Sequence, residues 1–129
     1  MALEIAQLNG VTYRVPESPV VVVCVDGGDP EYFTAAMKAD AIPNIARFME
    51  DGFSIIAHCS IPSFTCPNNM SIVTGTPPNV HGIAANFFHD RDSGEDVMTN
   101  TPKFLWVDTI FKAFFDAGAK IAIVTAKDK

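Results

Sequence analysis

Pro19-Val20-Val21-Val22-Val23-Cys24-Val25-Asp26-Gly27-Gly28 is the stretch on which the fold turns. Val20 to Val25 is an apolar, mostly β-branched run without alternation, the pattern of a strand buried on both faces of a parallel sheet. Asp26 follows at once, and Gly27 and Gly28 let the backbone turn sharply and leave the carboxylate accessible. In open α/β sheets ligands gather beyond the carboxyl ends of the strands. Asp26 is therefore a candidate metal ligand or nucleophile. The competing role, capping the next helix, suits Asp29 better.

Helix signals lie on either side of further strand signals. Asp29-Pro30-Glu31 supplies a cap, a first-turn proline and an early acid, and Tyr32, Phe33, Ala36 and Met37 form an apolar stripe. A second helix starts at Pro43, presents Ile45, Phe48 and Met49, and stops at Gly52. Phe53 to His58 reads as a strand, Ser60 to Pro67 as a loop, and Asn68 to Thr74 as a helix opened by Pro67 and closed by Gly75. Ile83 to His89 and Asp96 to Thr99 predict a hairpin around Arg91-Asp92-Ser93-Gly94. Val107, Ile110, Phe111, Phe114 and Phe115 keep helical spacing up to Gly118, and Lys120 to Thr125 reads as a last strand. Strands alternating with helices predict an α/β layered sheet, largely parallel, with helices on both faces. Without repeats or a linker, residues 1–129 read as one domain.

Composition narrows the function classes. A chain of 129 residues, 48% hydrophobic and 19% charged, is too apolar to be disordered and has no run of membrane-spanning length. A net charge of −6 argues against a nucleic-acid backbone as partner. Cys24, Cys59 and Cys66 are odd in number and lack CxxC spacing, and no leader is legible at Met1. Reduced thiols in a cytoplasmic protein are the expectation. GxGxxG and GxxxxGKS/T are both missing, so dinucleotide and P-loop readings fail. Asp26 and Asp29 are three apart, which departs from the Asp-x-Asp pair of haloacid-dehalogenase-type phosphatases.

The loop Ile61-Pro62-Ser63-Phe64-Thr65-Cys66-Pro67-Asn68-Asn69-Met70 carries the second candidate. Thr65 precedes the expected helix start, where backbone N–H groups and the helix dipole hold anions. A threonine hydroxyl there is either a plain cap or a nucleophile, and position alone favours neither; a metal is one standard activator of such a hydroxyl. His58, His81 and His89 have no ligand spacing to one another, and His81 reads as structural.

Pro62 to Gly75, followed by Pro77-Pro78-Asn79-Val80-His81-Gly82-Ile83, resembles the nucleophile segment of the alkaline phosphatase superfamily. More narrowly, it is similar to the nucleotide pyrophosphatase/phosphodiesterase and phosphonoacetate hydrolase branch. On that resemblance Asp26 matches the first metal-ligand aspartate. Thr65 matches the nucleophile that also touches a metal, and Asn86 matches the donor to a phosphoryl oxygen. Lys127 and Lys129, in Thr125-Ala126-Lys127-Asp128-Lys129, match lysines that hold a substrate carboxylate.

The resemblance implies an alkaline-phosphatase-like fold and a two-zinc hydrolase. It would cleave the C–P bond of phosphonoacetate to acetate and phosphate through a phosphothreonine. It also implies a small-molecule phosphonate or phosphate ester as partner, neither nucleic acid nor membrane, and allows a homodimer of the complete enzyme. A phosphodiesterase or nucleotide pyrophosphatase is the alternative, and a non-catalytic anion- or partner-binding module a further one. Zinc sites need about three or four protein ligands each. The family's other Asp and His ligands fall beyond Lys129, so residues 1–129 are expected to be the incomplete N-terminal part of the catalytic domain, inactive alone.

Overall fold

The computed structural model describes residues 5–126. In chain order its elements are β1 (Ile5–Leu8), β2 (Val11–Arg14), α1 (Pro30–Lys38), α2 (Pro43–Asp51), α3 (Thr65–Thr74), α4 (Pro78–His81), β3 (Phe87–His89), β4 (Asp96–Met98), a 3-10 turn (Pro102–Phe104) and α5 (Ile110–Asp116). The architecture is α/β, with helices and small sheets. Val21–His58 form one compact unit, and the described residues on either side of it form a second. Among the described residues no helix is long and apolar enough to cross a membrane.

The helices follow their local signals. Asp29 caps α1, its Oδ1 accepting from Glu31 N–H at 2.8 Å, with Pro30 in the first turn. Gly52 stops α2, its N–H donating to the Phe48 carbonyl at 3.0 Å. Thr109 caps α5 through Oγ1, which accepts from Lys112 N–H at 3.3 Å, so α5 begins after Val107. Within the larger unit α5 packs against β1 and α3, and Tyr13 meets Phe114 edge-on at 6.3 Å.

The expected parallel strands do not form ladders among the described residues. The sheets are two separate antiparallel hairpins, β1–β2 and β3–β4. Val20–Val25, Phe53–His58 and Lys120–Thr125 take no strand assignment, and Val21, Ile56 and Val124 are 84%, 82% and 95% exposed. The physical reason is partner supply. A hairpin finds its partner a few residues on, whereas a strand apolar on both faces needs flanking strands and a helical layer on each side. None of the described residues supplies those neighbours.

The hairpin at β1–β2 was not anticipated, although Asn9-Gly10 between two apolar segments is a strong turn signal. Both turn residues have positive φ, 47° and 83°, as a type I′ turn requires. Asn9 also braces the unit: its Nδ2 donates to the Thr74 carbonyl at 2.9 Å and the Asp108 carbonyl at 3.1 Å. The β3–β4 hairpin forms as expected but is shorter, pairing Phe87 with Met98 and His89 with Asp96. Residues 83–86 are committed elsewhere, as the next subsection describes.

The core lies in the larger unit. Ala6, Leu8, Cys66 and Ile83 are its buried apolar residues, with Thr74 and His81 as buried polar ones. Thr74 Oγ1 donates to the Met70 carbonyl and His81 is bonded at both ring nitrogens, so neither is left unsatisfied.

Candidate active site

Helix α3 starts earlier than its prolines suggest. Thr65 is its first residue, Phe64 is the extended cap, and Pro67 falls inside the first turn. Proline is tolerated there because a first-turn N–H has no partner within the helix. Cys66, the residue before the proline, is helical, and its N–H donates to Asn86 Oδ1 at 2.9 Å. That bond joins two residues twenty positions apart. It brings Asn86 to the start of α3, at the residue that follows half-buried Thr65.

The loop before α3 is pinned from inside the helix. Asn68 Oδ1 accepts from Ser60 N–H at 3.0 Å and from Ser60 Oγ at 3.3 Å. At its far end α3 closes on Gly75, whose left-handed φ of 66° suits the cap. The segment after α3 returns through α4 to Ile83 and then Asn86, whose carbonyl accepts from Thr99 N–H at 3.0 Å.

His81 is fully buried on α4. Ile83 N–H donates to its Nδ1 at 3.1 Å, which puts the ring proton on Nε2, facing Ser71 Oγ at 3.1 Å. Burial pushes the imidazole below its ordinary value of 6.5, with the Pro67 and His81 carbonyls working weakly the other way. A depressed histidine binds fewer protons folded than unfolded. Its contribution to stability is present above 6.5 and is lost as the pH falls below that value. Urea melts should therefore weaken between about pH 7 and pH 5, and His81→Gln should remove that part of the slope. An unchanged slope would exclude His81 as its source.

Asp26 belongs to the other unit. It is exposed in a turn closed by Gly28 N–H to the Val25 carbonyl at 3.2 Å. Gly27 takes a φ of 72° at the third position, as a type II turn demands. The turn borders a cleft of about 390 Å³ lined by Val25, Asp26, Tyr32, Phe33, Ile42 and others of the same unit. Lys127 and Lys129 lie outside the described residues. Among the described residues no group of three or more His, Cys, Asp or Glu is gathered to hold a metal. His89 instead faces Asp96 on the hairpin surface, Nδ1 to Oδ1 at 3.1 Å. Cys24, Cys59 and Cys66 form no disulfide with one another. The Ser71–His81 link was not legible in the sequence, because nothing in the spacing of a serine and a histidine ten apart distinguishes it.

The chain belongs to the Type I phosphodiesterase / nucleotide pyrophosphatase family, whose pattern it matches over residues 20–128. Its fold is alkaline-phosphatase-like, and in particular the chain is similar to phosphonoacetate hydrolase. The structure of that enzyme from Sinorhizobium meliloti 1021 in complex with phosphonoacetate is 49% identical. It superposes with a TM-score of 0.91 over 99% of this chain and 31% of the solved one. The complex with phosphonoformate, also 49% identical, gives 0.84 over 92% and 29%. An uncharacterized pyrophosphatase/phosphodiesterase of Schizosaccharomyces pombe is 32% identical over 70% of this chain and 18% of its own length. A bis(5'-adenosyl)-triphosphatase of Xenopus laevis is 30% identical over 69% and 19%. The chain thus spans less than a third of each of these relatives.

Proposed function

We propose that the protein carrying this chain hydrolyses phosphonoacetate to acetate and phosphate through a phosphothreonine at Thr65. The observation that supports the reading is the bond from Cys66 N–H to Asn86 Oδ1, which ties the matched phosphoryl donor to the residue that follows the matched nucleophile. The 49% identity to an enzyme solved with phosphonoacetate supports the choice of substrate.

The residues divide the work. Thr65 Oγ attacks phosphorus, forming the O–P bond as the P–C bond breaks, and its hydroxyl proton passes to solvent. The leaving enolate of acetate takes a proton from water, and a further water then hydrolyses the phosphothreonine to threonine and phosphate. The start of α3 favours negative charge on the phosphoryl oxygens. With Oδ1 engaged by Cys66, the Asn86 carboxamide turns its Nδ2 donors to the substrate. Lys127 and Lys129 would neutralise the carboxylate of the substrate and of the leaving enolate. The resemblance implies two zinc ions that supply Lewis-acid chemistry. Asp26 and Thr65 are two oxygen donors, so the described residues do not complete a zinc site by themselves. A cytoplasmic setting fits cysteines that form no disulfide with one another, and the small anionic substrate needs neither nucleic acid nor membrane; residues 1–129 would form the N-terminal part of one catalytic domain, in an enzyme free to act as a homodimer.

A phosphodiesterase or nucleotide pyrophosphatase is the second reading, favoured by the family pattern. The test compares acetate release from phosphonoacetate with turnover of a nitrophenyl phosphodiester. Lys127→Ala should weaken phosphonoacetate hydrolysis about 10- to 100-fold, the worth of a charged hydrogen bond, and spare the diester. Faster diester turnover, insensitive to Lys127, would overturn the phosphonate reading.

A further inference from the structure

We propose that His81 is a positioning residue, which from full burial ties the helix carrying Thr65 to the segment carrying Asn86. The inference deepens the hydrolase reading and rests on it for its catalytic meaning. Its structural content stands on a closed circuit of bonds. Ser71 on α3 faces His81 Nε2 at 3.1 Å, and Ile83 N–H donates to His81 Nδ1 at 3.1 Å. Three residues after Ile83, Asn86 Oδ1 accepts from Cys66 N–H at 2.9 Å, back on α3. The helix is thus gripped twice, at Cys66 and at Ser71, by the single segment 81–86.

With both ring nitrogens engaged and the side chain fully buried, the imidazole cannot rotate without losing a bond in a place where water does not replace it. The His81 carbonyl adds a third anchor, accepting from Trp106 N–H at 3.1 Å. Loosening the circuit frees Asn86 from the register that directs its Nδ2 beside Thr65. An error of about 1 Å in such a group costs roughly 100-fold in rate.

The test uses Ser71→Ala, which deletes one hydroxyl, alongside His81→Gln. In amide hydrogen exchange, the Cys66 N–H should exchange at least about 10-fold faster in both variants, while the Gly52 amide, bonded to the Phe48 carbonyl in the other unit, keeps its rate. Ser71→Thr, which retains a hydroxyl, should restore protection. In the active protein, Ser71→Ala should lower kcat about 10- to 100-fold with KM changed by less than about threefold, at equal folded fraction by circular dichroism. Unchanged Cys66 protection in folded Ser71→Ala overturns the proposal. Full turnover in Thr65→Ala overturns the hydrolase reading instead and leaves the exchange result to judge the circuit alone.

Discussion

Thr65→Ala should abolish phosphonoacetate hydrolysis, lowering kcat by roughly 10,000-fold or more, as loss of a covalent nucleophile does elsewhere. The expectation is sharp because of where Thr65 sits. As the first residue of α3 it can become alanine without losing helix, since alanine is the best helix former. The bond from Cys66 N–H to Asn86 uses main chain on the helix side, so it survives the change. Compared at equal folded fraction, the chemistry should stop. Thr65→Ser keeps a hydroxyl at the same place and should retain measurable turnover. Acetate release, followed with circular dichroism as the control for folding, decides the matter. Retention of more than about a tenth of the rate in Thr65→Ala would remove Thr65 from the mechanism.

The second large effect concerns stability. Gly82→Ala should cost about 2–4 kcal/mol, for two separable reasons. Gly82 has a φ of 88°, a region that costs other residues about 1–2 kcal/mol. An added Cβ would also lie 2.6–2.8 Å from three ring atoms of Trp106. The indole is largely exposed, but its backbone is held by the bond from Trp106 N–H to the His81 carbonyl, so it retreats only by rotating its side chain. Urea denaturation of Gly82→Ala, Trp106→Ala and the double variant separates the terms. The double variant should recover the clash and keep the backbone strain. A loss of only about 1–2 kcal/mol in Gly82→Ala, the same with or without Trp106→Ala, would mean that Trp106 moves freely, and a loss below about 0.5 kcal/mol would exclude both terms.

What the sequence made legible was local. Asp29 with Pro30, Pro43 with Gly52, and the aromatic stripe from Ile110 to Phe115 each carry their signal within one helix, and each helix formed. Thr65 and Asn86 could be matched by motif, yet the bond that ties Asn86 to Cys66, the residue after Thr65, spans twenty residues and no spacing rule announces it. Helix α3 begins two residues before Pro67, the opening that its prolines predict, where Asn86 satisfies the N–H of Cys66. The valine run shows the opposite failure. Its composition speaks of a buried parallel strand, but composition states only what the residues would prefer beside them, and pairing requires that the neighbours be present. Asn9-Gly10 was readable and went unread; its positive φ pair and its two carbonyl contacts make it a brace as well as a turn.

The bare stretch from Val20 to Val25 bears on handling as well as on fold. Six apolar residues in a row, with no charge and no proline, form a template on which like chains stack edge to edge. What interrupts that template is the punctuation at its ends: Pro19 on one side, and the carboxylate of Asp26 with its glycine turn on the other. Asp26 thus holds two offices, proposed ligand and gatekeeper against self-association. Neutralising it as Asp26→Asn would withdraw both at once, so lost activity in that variant has to be weighed against the fraction of protein still in solution.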